Sequence, residues 1–291
     1  MKKFYCLFIM LALCACSART QTASTTIRLF PGEAPGETKE LTETKEIVKE
    51  NVGSTTLLSN VSTPEITIYP APGSGLHPAV VVCPGGGYNI LAYDKEGTEV
   101  CEWLNGNGIT AVLLKYRVPR REGRPKHEAP LQDAQRALSY VRAHAAQLDI
   151  KSNQIGIMGF SAGAHLSVMA STSFATRTYP AIDEADQASC RPDFCLLVYP
   201  AYLDGENFQL APEIKVTADV PPTMIVQAED DHSYINSALF YYHALKNAKV
   251  PAWMHLYSKG GHGFGLRESK FRVSEWPQRA EDWFRELGII Q

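Results

Sequence analysis

One pentapeptide constrains the fold of this 291-residue chain more than any other, Gly159-Phe160-Ser161-Ala162-Gly163. It directly follows the apolar run Ile155-Gly156-Ile157-Met158 and opens a helix-compatible stretch from Ala162 to Ala170. Glycines two residues either side of a serine relieve crowding where a strand turns sharply into a helix, and such a turn lifts the serine above the sheet edge. A chain with this joint needs other strands around it, and the sequence supplies them. Ile66 to Tyr69 alternates apolar and polar residues, as a half-buried strand does. Ala79 to Cys83 is a continuous apolar run, suited to a strand buried on both faces. Further strands are expected at Ile109 to Leu114, Phe194 to Val198, Thr223 to Val226 and Trp253 to Leu256. Helical spacing marks Lys95 to Leu104, Pro130 to Leu148, Ile235 to Lys246 and Glu275 to Leu287. Strands alternating with helices of that length imply an α/β fold, with a mostly parallel sheet covered by helices on both faces. Tyr202 to Val220 lacks a strong period and is expected to cross the top of the sheet as a loop or small cap.

A serine at such a joint is a nucleophile only if a base can reach it; otherwise it merely caps the helix. Gly260-Gly261-His262-Gly263-Phe264-Gly265 follows the last strand and sets His262 on a loop with little to pack against. It comes after the serine in the chain, the order in which one class of hydrolases places its base. His165, four residues past Ser161 on the same helix, is expected to pack rather than reach the serine oxygen. His77, His127, His144, His243 and His255 read as structural or exposed. The acid that orients the base should follow a strand between serine and histidine, where Gln227-Ala228-Glu229-Asp230-Asp231 stands. Hydrolases often carry G-x-x-D there; with Ala228 at the glycine position the spacing selects Asp231. Asp230 is separable only by side-chain direction. Cys83-Pro84-Gly85-Gly86-Gly87-Tyr88 closes an earlier strand. Three consecutive glycines cost backbone entropy but let the main chain approach a ligand with its N–H groups free. A plain tight turn is the alternative reading.

With KEGTEVCEWLNGNGITAVLLKYRVP, PLQDAQRALSYVR, QIGIMGFSAGAHL, PPTMIVQAEDD and KGGHGFGL, CPGGGY spans residues 83 to 266. This set resembles the acetylesterase and hemicellulose-esterase branch of the α/β-hydrolases, close to bacterial proteins related to acetylxylan and feruloyl esterases. The resemblance implies an α/β-hydrolase fold with an eight-stranded sheet, no metal and no cofactor. It also implies acyl-enzyme chemistry on acetylated or feruloylated plant polysaccharides or on small esters. Ser161, Asp231 and His262 would be the catalytic triad. By match to the HGGG turn of esterases, the amides of Gly86 and Gly87 would join that of Ala162 in an oxyanion hole. Pro84 replaces the histidine of that turn, and Ala228 the glycine before the acid. Tyr88, Tyr116, Tyr202 and Phe264 are candidates to line the pocket. A glycoside hydrolase would need two carboxylates across a cleft, and nothing pairs Asp230 or Asp231 with a distant acid. A serine exopeptidase usually carries a large extra domain. A glycan-binding lipoprotein on a decayed hydrolase scaffold is disfavoured by the intact Ser-Asp-His set.

Lys2 and Lys3, the apolar run from Phe4 to Leu13 and the small residues after it have the layout of a secretory signal over residues 1–15. Leu13-Cys14-Ala15-Cys16 resembles a bacterial lipoprotein box, which implies cleavage before Cys16 and its acylation. The protein is then expected to be exported and held at the bacterial cell envelope by a lipid anchor alone. An ordinary signal peptide is the plainer alternative. Residues 16–60, rich in Thr, Ser and Glu, read as a solvated, flexible spacer with one strand near Ile27 to Phe30. Residues 61–291 are expected to form one catalytic domain. Hydrophobic content of 45% and charged content of 20% fit an ordinary globule, and a net charge of −3 gives no reason to expect nucleic acid as a partner. Cys83 and Cys195 lie in apolar runs and read as buried thiols, and a Cys190–Cys195 bridge is not favoured. No Cys/His spacing suggests zinc. Nothing in the sequence specifies an oligomeric state.

Overall fold

The computed structural model describes residues 23–50 and 52–291. The expected signal segment and the lipidation residue Cys16 lie outside the described residues. At the centre of the molecule stands β5 (His77–Cys83), whose last six residues are all buried. Ala79, Val81 and Cys83 point into one core, Val80 and Val82 into the other, because successive side chains of a strand face opposite ways. Each valine so buried contributes roughly 1.5–3 kcal/mol.

Beside β5 lie β7 (Thr110–Lys115) on one hand and β8 (Ile150–Phe160) on the other, both parallel to it. The sheet continues past β8 through β9 (Cys195–Val198), β10 (Thr223–Ala228) and β11 (Ala252–Tyr257), again parallel. Past β7 it continues through β4 (Glu65–Tyr69) and β1 (Thr25–Arg28), both antiparallel to their neighbours. The eight strands run β1-β4-β7-β5-β8-β9-β10-β11. One face is covered by α2 (Glu128–Ala143), α3 (Ala162–Thr172) and α4 (Ile235–Asn247), the other by α1 (Glu99–Gly106) and α5 (Trp276–Glu286). Trp276, Trp283 and Phe284 of α5 fill the second core together with Phe160 and Phe194. This is the α/β-hydrolase architecture, with the strand and helix order expected from the hydrophobic periodicity. Helix α2 stops at Ala143 rather than Leu148; the chain turns through Asp149, at φ +52°, to enter β8 early.

The expectation of a flexible spacer up to Asn60 is corrected. Within that stretch β2 (Thr44–Lys49) and β3 (Ser54–Ser59) form a hairpin, and β3 also pairs with β6 (Ile90–Ala92) in a separate three-stranded sheet. Its anchors are few: Thr55, Leu58 and Leu91 are buried, whereas every residue of β2 but Val48 is exposed. Such a strand has almost no apolar pattern to read. Polar contacts hold it instead. Asp94 accepts from the Thr56 amide at 2.9 Å, Lys95 pairs with Glu50 at 2.7 Å, and Arg267 donates to the Ser54 carbonyl and to Glu99. Leu29 and Phe30 are also buried, and Arg136 donates to the Leu29 carbonyl at 2.9 Å, so the segment after β1 is part of the body.

Candidate active site

In a parallel sheet all strands end at the same edge, and the loops leaving that edge converge. Gly85 to Gly87 follow β5, Ser161 follows β8, Tyr199 follows β9, Asp231 follows β10 and His262 follows β11. Ser161 sits at φ +52°, ψ −117°, a region L-residues rarely adopt, between β8 and α3. The flanking glycines are dictated by contact: a Cβ on Gly159 would meet the Gly163 carbonyl oxygen at 2.1 Å, and one on Gly163 the Cys83 carbonyl oxygen at 2.0 Å. Either alanine substitution would push the elbow open.

His262 Nε2 lies 2.8 Å from Ser161 Oγ, and its Nδ1 lies 2.7 Å from Asp231 Oδ2. The Asp231 side chain is 3% exposed, that of His262 31%. Asp230 is turned away: its Oδ1 accepts from the amides of Gly260 at 2.9 Å and Gly261 at 2.8 Å, which anchors the histidine loop. The amides of Gly86, Gly87 and Ala162 have no acceptor among the described residues. Gly86 holds φ +135°, and a Cβ there would meet the Ile90 carbonyl oxygen at 2.1 Å.

The structure therefore brings together Ser161, His262, Asp231 and the three amides. Of the pocket candidates, Phe264 borders the cleft beside His262 and packs on Tyr199 with ring centroids 4.4 Å apart. Tyr202 is half-buried and packs against Tyr234, whose ring lies 4.8 Å from His262. Tyr88 and Tyr116 are corrected, because both are wholly buried. Tyr116 donates to the Pro84 carbonyl at 2.6 Å, and Tyr88 bonds His165 Nδ1 at 2.8 Å, so they brace the glycine loop from behind. The four cysteines of the body are free thiols.

Glu96 is a site residue the sequence reading missed. One π-helical turn, Asp94–Thr98, precedes α1, closed by a hydrogen bond from the Thr98 amide to the Tyr93 carbonyl. The turn puts Glu96 inward, where Oε2 accepts from the Gly85 amide at 2.7 Å and Oε1 from the Tyr199 hydroxyl at 2.8 Å. Tyr199 in turn accepts from the Gly265 amide at 3.1 Å, and Trp276 donates to the Gly265 carbonyl at 2.8 Å. A polar chain thus runs from α5 beneath His262 to the glycine loop. Burial pushes the Glu96 carboxyl above its usual range, against the pull of its two donors. The one available signal was the glutamate inside the KEGTEV segment.

This arrangement can activate a hydroxyl, hold a developing oxyanion and shuttle one proton. The BD-FAE family model matches residues 66–195. The chain is 33% identical over 213 residues to the acetylxylan esterase of Xylanibacter ruminicola, covering 65% of this chain and 41% of that protein. It is 28% identical over 217 residues to endo-1,4-beta-xylanase B of Butyrivibrio fibrisolvens, covering 68% of this chain and 34% of that protein. The chain thus spans well under half the length of these two curated relatives. The crystal structure of the acetyl ester-xyloside bifunctional hydrolase from Caldicellulosiruptor lactoaceticus superposes with a TM-score of 0.75 at 30% identity. That likeness covers 92% of this chain and 97% of the other.

Proposed function

The chain belongs to the acetylxylan esterase-like family of α/β-hydrolases, and from that membership we propose that it is a serine esterase that removes acetyl groups from hemicellulose-type carbohydrates. The observation that carries this reading is the unbroken hydrogen-bond chain Asp231–His262–Ser161, together with the amides of Gly86, Gly87 and Ala162, which have no acceptor among the described residues.

In the proposed reaction Ser161 Oγ attacks the ester carbonyl carbon while its proton passes to His262 Nε2. Asp231, bonded to Nδ1, holds the ring in place and favours its charged form. Gly86, Gly87 and Ala162 donate to the oxyanion, each worth roughly 3 kcal/mol. The bond to the alcohol breaks as His262 returns the proton to the leaving oxygen. Water then attacks the acyl-serine through the same base and frees the acid.

Tyr202 and Tyr234 pack together, with the Tyr234 ring 4.8 Å from that of His262, and wall one side of the triad. On the far side of His262 an open cleft of ≈ 600 Å³, bordered by Glu50, Lys95, Phe264 and Arg267, offers space for the carbohydrate. Acid release from acetylated xylan, p-nitrophenyl acetate and methyl ferulate tests the reading against Ser161→Ala, which should lose on the order of 10⁶ in kcat. Activity that survives the substitution refutes it. The xyloside half of the C. lactoaceticus enzyme's name makes p-nitrophenyl xyloside the natural counter-substrate; turnover there, independent of Ser161, would favour a glycosidase.

We further propose that the protein is exported and anchored through Cys16, a reading supported by the Leu-Cys-Ala-Cys box. Cys16→Ala should move the protein from membrane to soluble fractions, and retention on membranes would end the anchor hypothesis.

A further inference from the structure

Behind the glycine loop, three potential ligands from three separate elements meet: His165 of α3, His127 just before α2, and Glu213 in the segment between β9 and β10. Their ligand atoms all lie within 4.8 Å of one another. His165 is 0% exposed, and its ring is fixed at the other end by the 2.8 Å bond from Nδ1 to the Tyr88 hydroxyl. Its Nε2 has no partner among the described residues, and neither has His127 Nδ1, although both atoms are buried. The two rings are 5.4 Å apart. A buried imidazole whose one nitrogen is held by a hydroxyl and whose other nitrogen faces a second unpartnered imidazole is built as metal ligands are built. The outer partner fixes the tautomer and presents the remaining lone pair.

We propose that His127, His165 and Glu213 form a binding site for a divalent transition-metal ion of the zinc class. Two imidazoles and a carboxylate form a nitrogen–oxygen set that suits such an ion, and three protein ligands leave one position for solvent. Tetrahedral coordination needs the donor atoms about 3.4 Å apart. His165 is locked in the core, so the closing movement falls to Glu213, which is exposed. Its backbone is well placed for this: the neighbours Ala211 and Ile214 are buried, and the Ile214 amide donates to the Ala211 carbonyl at 3.0 Å. The ion would tie the segment carrying Tyr202 to α3, the helix that follows Ser161. Lys126, seated 3.8 Å over the Tyr202 ring, and Arg120, Arg121 and Arg124, which line the same cavity as His127 and Glu213, are the nearby cations against which the ion must bind. None of this depends on what the serine hydrolyses.

The test is a Co²⁺ titration of the untagged full-length protein, after chelator treatment, read by the visible ligand-field absorption of tetrahedral cobalt. The wild type should take up one equivalent and release it to Zn²⁺. His127→Gln should abolish the band. Glu213→Gln, at an exposed position that cannot unfold the chain, should weaken binding about tenfold or more. His262→Gln should leave the band unchanged, which separates this site from the catalytic imidazole. A wild type without the band, a band that persists in both His127→Gln and Glu213→Gln, or one lost in His262→Gln overturns the proposal.

Discussion

Asp230 and Asp231 are adjacent, chemically identical and assigned opposite tasks. A single peptide step reverses the side-chain direction, so one carboxylate reaches His262 and the other the amides of Gly260 and Gly261. The Gly261 amide, helped by Gly260 and Lys259, holds the Asp230 carboxyl below its usual range. Asp231→Asn should lower kcat on p-nitrophenyl acetate by about 10⁴-fold, since the imidazole loses the partner that sets its tautomer. Asp230→Asn keeps an oxygen acceptor for the loop and should cost on the order of 10²-fold or less, through misplacement alone. The opposite ranking would transfer the acid role to Asp230. Glu96 shows the same dependence on direction. An ordinary helix from Lys95 would have been phased differently; the inserted π turn brings the carboxylate inward to Gly85 and Tyr199.

Among the elements, the small sheet is the one whose stability is least obvious from its strands. Its outer strand β2 is almost wholly exposed, and Ile47 is 66% exposed. Arg267, a few residues past His262, supplies the clamp: it donates to the carbonyls of Val52 and Ser54 and to both carboxylate oxygens of Glu99. The hairpin and the histidine loop therefore share one guanidinium. In Arg267→Ala, amide hydrogen exchange across Ser54–Ser59 should accelerate roughly tenfold, while the buried amides of β5 keep their rate. Equal protection in the variant would show that Leu58 and Thr55 hold the hairpin unaided. The main sheet needs no such clamp. Its strands are buried runs whose hydrophobic burial specifies their pairing, which is why they could be placed from sequence while β2 and β3 could not.

At the scale of the molecule, the middle of α2 is joined to the chain on both sides of it. Buried Arg136 donates to the Leu29 carbonyl and, in bidentate fashion, to Asp183 at 2.7 and 2.6 Å, with Asp186 at 3.0 Å. The Arg136 hydrogen bonds hold the Asp183 carboxyl below its ordinary value. In the unfolded chain that carboxyl titrates near 3.9. Between the folded and unfolded values the unfolded state binds more protons, so this contribution to stability is present above about pH 4 and is lost as pH falls through the folded value. Thermal melts from pH 5 down to pH 2 should show a steeper decline for the wild type than for Asp183→Asn, and parallel curves would remove Asp183 from acid unfolding. The proposed metal site belongs to this scale too, since its ligands are brought together from two helix starts and a crossing segment.

By itself the sequence determined what depends on neighbours along the chain. The strand–serine–helix joint, the glycine loop after a buried strand and the Ser-Asp-His order are all properties of short segments, set by steric demands and hydrophobic period. Only the tertiary structure decided which of two adjacent aspartates faces the histidine, and that Tyr88 and Tyr116 lie behind the site rather than in it. It alone drew Glu96 beneath the glycine loop and set Glu213 beside His127 and His165. Those relations join residues tens of positions apart or turn on side-chain direction, and neither is encoded in any local period.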